Sequence, residues 1–122
     1  MINSVTLTSK LVKCPSVTPD EAGSFKLIKD LFKDTDFKID EINKNGIKNL
    51  FLRWGSKNLP TFGFCGHIDV VTPGDIKKWK LNPFSGKIIN KEIFGRGSVD
   101  MKSAVAAFCL AAIKVSKETS PI

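Results

Sequence analysis

The sequence predicts an α/β fold in which helices cover both faces of a central sheet, giving three layers. Segments with helical periodicity alternate with short β-type segments along all 122 residues, and such alternation is typical of α/β domains. Hydrophobic residues form 42% of the chain and charged residues 25%, which is the balance of an ordinary globular protein. The predicted elements are few for a sheet covered on both faces, so we expect the domain to be incomplete.

Two helices are predicted near the N-terminus. The first covers about residues 4–13, where apolar side chains supply one face. The second is predicted to begin at Thr18, because Thr18, Pro19 and Glu21 provide an N-cap, a first-turn proline and a capping-box glutamate in the expected order. Behind this start, apolar residues recur at steps of three and four, as on the buried face of an amphipathic helix: Ala22, Phe25, Ile28, Leu31 and Phe32.

The middle of the chain has β character. Asn45 and Gly46 form a turn signal between two of the β-type segments. Residues 101–116 are rich in alanine and apolar over most of their surface, which predicts a buried helix as the last element. Four short strands are predicted before that helix, each as an alternating or apolar run bounded by turn residues: 37–41, 50–54, 61–65 and 87–90.

The cysteines and the apolar segments indicate a cytoplasmic protein. Cys14, Cys65 and Cys109 are odd in number and share no short spacing, which argues against a disulfide framework and a cysteine-based zinc site. The N-terminus has no apolar stretch long enough for a signal peptide. The longest apolar run, residues 105–113, is far shorter than the ~20 residues that span a bilayer. We therefore expect no membrane partner.

The charge balance raises the question of a nucleic-acid partner. The net charge is +7, from 19 basic and 12 acidic residues. The lysines are dispersed, however, and only Lys77, Lys78 and Lys80 form a cluster. The chain has no Tyr and no aromatic and basic stripe of the RNA-binding kind. We expect a solvated basic surface and no nucleic-acid partner, with attraction of a small acidic substrate as a weaker interpretation.

His67 is the only histidine of the chain, and it follows the predicted strand at 61–65. Gly66 lets the backbone turn there, and Asp69 lies two residues on, so that in an extended chain it points to the same side as His67. A carboxylate in that place can accept the second ring N–H of a metal-bound histidine. A lone histidine is also often a structural residue. The pattern by itself leaves both interpretations open.

Asp100 lies in a second candidate segment, just before the last predicted helix. It follows a glycine-rich turn, GRGSVDMK (95–102). An Asp before a helix is commonly an N-cap. A carboxylate in such a turn can also bridge two divalent metals, as in hydrolases with paired metals about 3.5–4 Å apart. Neither the Walker spacing nor the dinucleotide fingerprint is present, so a phosphate loop is excluded.

The two segments together, CGHIDVV (65–71) and GRGSVDMK (95–102), resemble the zinc-dependent aminoacylase and carboxypeptidase family. The resemblance implies that His67 is a ligand of one zinc, that Asp100 bridges both, and that Asp69 is the catalytic-site acid that orients His67. It further implies two zinc ions per full-length subunit, with cobalt as an alternative, a small acidic N-acyl amino acid as substrate, and a homodimer. We also expect, by this resemblance, a cis peptide bond after Asp100.

The resemblance also implies that residues 1–122 are the N-terminal portion of a metal-dependent catalytic domain, without its lid and dimerisation domain. In the resembling enzymes a glutamate pair, a further acidic ligand and a distal histidine come later in the chain. We therefore expect these 122 residues alone to be inactive. One other interpretation is a different member of the family, such as an acetylornithine deacetylase or a dipeptidase. Two more are a non-catalytic metal- or partner-binding fragment and a basic nucleic-acid binder.

Overall fold

The computed structural model describes residues 2–120. They form three α-helices and two antiparallel β-hairpins, so the predicted mixture of helices and strands is confirmed. No helix in this part of the chain is both long and apolar enough to cross a bilayer. In chain order the elements are α1 (Ser4–Val12), α2 (Ser24–Phe32), β1 (Lys38–Lys44), β2 (Ile47–Arg53), β3 (Lys87–Ile89), β4 (Glu92–Phe94) and α3 (Ser103–Glu118).

The hydrophobic core lies where the three helices meet. Leu7 and Leu11 lie one turn apart on α1 and face the buried side of α3, as side chains four residues apart on a helix do. The helix predicted at 4–13 is confirmed, and the Asn3 side chain accepts a hydrogen bond from the Thr6 amide at its start. The core cluster consists of Leu7, Leu11, Ile28, Phe32, Val105, Ala106 and Cys109.

Helix α2 begins five residues later than predicted, with Gly23 rather than Thr18 at the N-cap position. Gly23 precedes the helix with φ +83°, a left-handed conformation that glycine adopts without steric cost. The Glu21 carboxylate accepts a hydrogen bond from the Phe25 amide at 3.0 Å and so caps the helix from the preceding turn. The prediction of Thr18 as the N-cap is therefore wrong, because the Thr18 side chain hydrogen-bonds to another part of the chain.

Strands β1 and β2 form the larger hairpin. Asn45 and Gly46 both have positive φ, as the predicted tight turn requires, and they connect Lys44 to its partner Ile47. Strand β2 covers most of the predicted strand at 50–54 and starts three residues earlier. Phe37, just before β1, packs edge-on against Phe32 of α2, with ring centroids 4.9 Å apart. This contact connects the hairpin to the helical core.

The prediction for residues 61–65 is wrong, since no strand forms there. A strand needs a neighbour for its backbone hydrogen bonds, and no other strand pairs with this segment within residues 2–120. Phe64 instead stacks on Phe108 of α3, with ring centroids 4.3 Å apart. Helix α3 is only partly buried, contrary to prediction, because Val105, Ala106 and Cys109 form a single buried side.

The side chain of Lys102 joins the start of α3 to the end of α1. It is fully buried, and its ammonium donates hydrogen bonds to the carbonyls of Leu11 at 2.9 Å and Cys14 at 2.8 Å. Leu11 lies in the last turn of α1 and Cys14 just after it, and their carbonyls also accept the amides of Cys14 and Ser16, respectively. Burial lowers the pKa of Lys102. The two hydrogen bonds therefore fix the backbone two residues after Asp100.

Replacing Lys102 with Met should destabilise the protein. Methionine keeps most of the apolar stem of the lysine side chain and removes only its ammonium group. The protein would lose two hydrogen bonds from a charged donor, and a hydrogen bond to a charged group contributes about 1.5–3 kcal/mol. Urea unfolding should show a lower midpoint for Lys102→Met. The same change at Lys44, an exposed residue of β1, is the control. Equal midpoints for the two variants would contradict the structural role of Lys102.

Candidate metal centre

Two loops bring the predicted site residues together. His67 and Asp69 lie in the loop at residues 66–71, and Asp100 lies in a kinked turn, Ser98–Lys102, that leads into α3. The Nε2 atom of His67 is 3.1 Å from Oδ1 of Asp100, although 33 positions separate the two residues. The structure thus places all three predicted site residues in one small region.

The other ring nitrogen of His67 is held by Asp69. Nδ1 lies 3.0 Å from the backbone carbonyl oxygen of Asp69 and 3.4 Å from its carboxylate Oδ1. Because a carbonyl oxygen can only accept, Nδ1 carries the proton. This hydrogen bond raises the pKa of His67, and the carboxylates of Asp100 and Asp69 raise it further. In the neutral ring, the Nε2 lone pair then points toward the carboxylate of Asp100.

The glycines before Asp100 permit a closely packed turn. Gly95 has φ +148° and Gly97 has φ +82°, values that favour glycine. A Cβ on Gly97 would lie 2.6 Å from the Val70 side chain, so the turn passes directly against the loop of His67. The Asp100–Met101 peptide bond is cis, and that prediction is confirmed.

A cleft next to His67 and Asp100 contains an aromatic and a cationic side chain. The guanidinium carbon of Arg96 lies 5.3 Å from the centre of the Trp79 ring, within the range of a cation–π interaction. The indole N–H of Trp79 donates to the Pro73 carbonyl at 2.9 Å, which fixes the ring. Arg96 Nε is buried and has no hydrogen-bond partner among residues 2–120. The cleft therefore offers positive charge beside the candidate centre.

The side chains of His67 and Asp100 suit a divalent metal ion. Zinc binds imidazole nitrogen and carboxylate oxygen at about 2.0–2.2 Å, and tetrahedral geometry then places two ligand atoms about 3.3 Å apart. His67 Nε2 and Asp100 Oδ1 are 3.1 Å apart, and both are acceptors. Two metal-binding side chains are too few for a closed site. The described part of the chain holds no group of three or more His, Cys, Asp or Glu suited to a metal.

Sequence reasoning missed the part played by Thr18. Its hydroxyl donates to Asp69 Oδ2 at 2.5 Å, whereas the sequence pattern around it predicted a helix cap. Only the spatial approach of residues 16–18 to residues 68–70 reveals this contact. Arg96 belongs to the glycine-rich motif behind the family resemblance, but the sequence predicted no separate role for Arg96 or for Trp79. The signal that could have indicated one is the pairing of an aromatic and a cation near a glycine-rich turn.

Comparison with known families matches this site to a class of hydrolytic enzymes. Residues 63–121, which include His67, Asp69 and Asp100, match the family described as Peptidase family M20/M25/M40. The resemblance predicted from the two motifs is therefore confirmed.

The curated relatives carry a more specific name. The chain is 48% identical over 121 residues to a succinyl-diaminopimelate desuccinylase of Cereibacter sphaeroides (strain ATCC 17029 / ATH 2.4.9), covering 98% of this chain and 32% of the relative. It is 48% identical over 115 residues to the enzyme of that name from Paracoccus denitrificans, covering 94% of this chain and 30% of the relative. The chain thus spans about a third of the length of the curated relatives it matches.

A solved structure supports the predicted fold class. The M20 family metallo-carboxypeptidase Sso-CP2 from Sulfolobus solfataricus matches with a TM-score of 0.83 at 24% identity. The match covers 97% of this chain and 28% of that chain. At this identity the match shows the fold, and the predicted α/β class is confirmed.

The three thiols should differ in reactivity according to their surroundings. Cys65, two residues before His67, is exposed, whereas burial raises the pKa of Cys109 to about 11 and also raises that of Cys14. Since the thiolate is the reactive form, iodoacetamide at pH 8 should label Cys65 first and Cys109 last. Peptide mass spectrometry measures the order, and labelling in urea is the control. Labelling of Cys109 as fast as that of Cys65 in the native protein would contradict the burial of this helix face.

Proposed function

We propose that this chain is the N-terminal portion, residues 1–122, of the catalytic domain of a metal-dependent amidohydrolase. The enzyme cleaves the amide bond of N-succinyl-LL-2,6-diaminopimelate, giving succinate and LL-2,6-diaminopimelate for lysine and cell-wall precursor biosynthesis. The observation that carries the proposal is the convergence of His67 Nε2 and Asp100 Oδ1 to 3.1 Å in a segment matched to the peptidase family. The names of the curated relatives support the substrate.

The proposed roles follow from the hydrogen bonds. Asp69 holds the proton of His67 on Nδ1, which leaves Nε2 free to bind one metal ion. Asp100 is exposed along most of its side chain, with one oxygen toward His67, so its second oxygen is available to a second ion. Two zinc ions, or cobalt in their place, are the proposed cofactors. When bound, they supply a water nucleophile at neutral pH and polarise the scissile carbonyl.

The substrate is a small acidic N-acyl amino acid. Arg96 supports this choice, because it lines the same cleft as His67 and Asp100. A planar guanidinium suits the two oxygens of a carboxylate, and the stacked Trp79 ring fixes the position of that charge. The net charge of +7 also favours the approach of an anionic substrate.

The cellular setting is a further part of the proposal. We place the enzyme in the cytoplasm, where its three free cysteines would stay reduced. By its family resemblance the full-length enzyme is a homodimer, and we propose no nucleic-acid or membrane partner. The lid and dimerisation domain would belong to the two thirds of the relatives' length that this chain does not span.

Substitutions at Asp69 and Asp100 should have different effects on metal content in the full-length enzyme. Asp100→Ala removes the proposed bridge, so the stoichiometric binding of two metal ions should be lost. Asp69→Asn keeps the carbonyl that holds His67, so zinc should be retained, with affinity or activity about 10–100-fold lower. Metal analysis of the purified variants measures this difference. Asp40→Asn, at an exposed position in β1, is the control, and equal metal content in all three variants would contradict the roles.

Residues 1–122 alone should show no hydrolysis. Catalysis needs a general base within hydrogen-bond reach of the metal-bound water, and the described residues bring together only two metal-binding side chains. Succinate release from N-succinyl-LL-2,6-diaminopimelate, in the presence of zinc, is the assay, with acetylornithine and a dipeptide as alternative substrates. Turnover above that of zinc alone, lost in His67→Ala, would show that these residues build a complete active site.

A further inference from the structure

The segment after α1 runs alongside the loop of His67 and Asp69. Val17 and Val70 form a parallel β-bridge. The buried Ser16 hydroxyl donates to the Ile68 carbonyl at 2.6 Å, and the Val70 amide donates to the Ser16 carbonyl at 2.8 Å. These bonds hold residues 16–18 in register with residues 68–70. The register brings Thr18 beside Asp69.

Thr18 contacts the carboxylate of Asp69 directly. Its hydroxyl donates to Oδ2 at 2.5 Å, while Oδ1 of the same carboxylate lies 3.4 Å from His67 Nδ1. A hydroxyl bound to an ionised carboxylate makes a short and strong hydrogen bond. One oxygen of Asp69 is therefore held by Thr18, and the other faces the histidine.

We propose that Thr18 is a positioning residue of the metal centre, which acts by fixing the rotation of the Asp69 carboxylate. The terminal torsion of Asp has a broad energy profile, so neither oxygen would have a fixed place without a partner. The Thr18 hydroxyl supplies that partner on the side away from His67. The carboxylate then stays beside Nδ1 and supports the tautomer that the Asp69 carbonyl selects. This inference rests on the proposed role of His67 as a metal ligand.

The surroundings of Thr18 argue against a purely structural role for its hydroxyl. Thr18 is exposed, so water could satisfy the hydroxyl equally well. Helix α2 begins at Ser24, too far along the chain for Thr18 to cap it. The backbone amide of Thr18 donates to the Val70 carbonyl at 3.2 Å, and this bond is independent of the side chain. The hydroxyl can therefore be removed while the backbone contacts of the segment remain.

The experiment compares zinc affinity among variants of the full-length enzyme, measured by competition with a chromophoric chelator. Thr18→Val removes the hydroxyl at similar volume, and Thr18→Ser retains it. Loss of an outer hydrogen-bond partner of a metal ligand lowers affinity by about 10–100-fold, and Thr18 acts through one more residue, so Thr18→Val should lower it about 10-fold. Thr18→Ser should bind zinc with an affinity close to that of the wild type. Thr18→Ala replaces the valine variant if that variant does not fold.

A double-mutant cycle separates positioning through Asp69 from a general structural effect. In an Asp69→Asn background, Thr18→Val should cause little further loss, because residues that act through one another are not additive. An unchanged affinity in Thr18→Val, or the same loss with and without the Asp69 carboxylate, would overturn the inference. His67→Ala tests the proposed function itself. If wild type binds zinc no more tightly than His67→Ala, the proposed function fails, and the role of Thr18 fails with it.

Discussion

The candidate centre depends on two acceptor atoms held face to face. His67 Nε2 and Asp100 Oδ1 lie 3.1 Å apart, and because Nδ1 donates to the Asp69 carbonyl, the neutral ring directs a lone pair at a carboxylate. Such an approach is unfavourable unless a cation lies near both atoms. The pKa of His67 is raised first by the hydrogen bond from Nδ1 to the Asp69 carbonyl, and further by the carboxylates of Asp100 and Asp69. The geometry thus favours a positive charge between the two residues, either a proton or a metal ion.

The backbone holds this arrangement in place. The His67 side chain is 47% exposed and that of Asp100 is 85% exposed, and ion pairs at exposed positions contribute about 0–1 kcal/mol. So small an attraction cannot fix two loops. Buried contacts on either side do so: Gly97 lets the turn pass against Val70, and Lys102 holds the end of the turn to the end of α1. The chain after α1 then supports the His67 loop through Ser16.

The sequence predicted the features that depend on local chemistry. Asn45 and Gly46 indicate a hairpin turn by their own backbone preferences, and the structure has that turn. His67 and Asp100 became candidate ligands because their two motifs together resemble a known family, and the structure brings the two side chains together. The segment at 61–65 has the apolar composition of a strand but lacks a neighbour within residues 2–120. A strand needs a partner, which a local pattern cannot supply.

Thr18 shows why the rest of the site could not be predicted. Thr, Pro and Glu at this spacing have a strong local interpretation as a helix start, and Glu21 does cap α2, by accepting from the Phe25 amide. The hydroxyl of Thr18 instead bonds Asp69, 51 positions along the chain, because the bridge between Val17 and Val70 fixes the register. Only the register of that docked segment determines which hydroxyl meets which carboxylate. Short motifs therefore indicate the candidate ligands of this site, whereas the orientation of their side chains depends on contacts between distant segments.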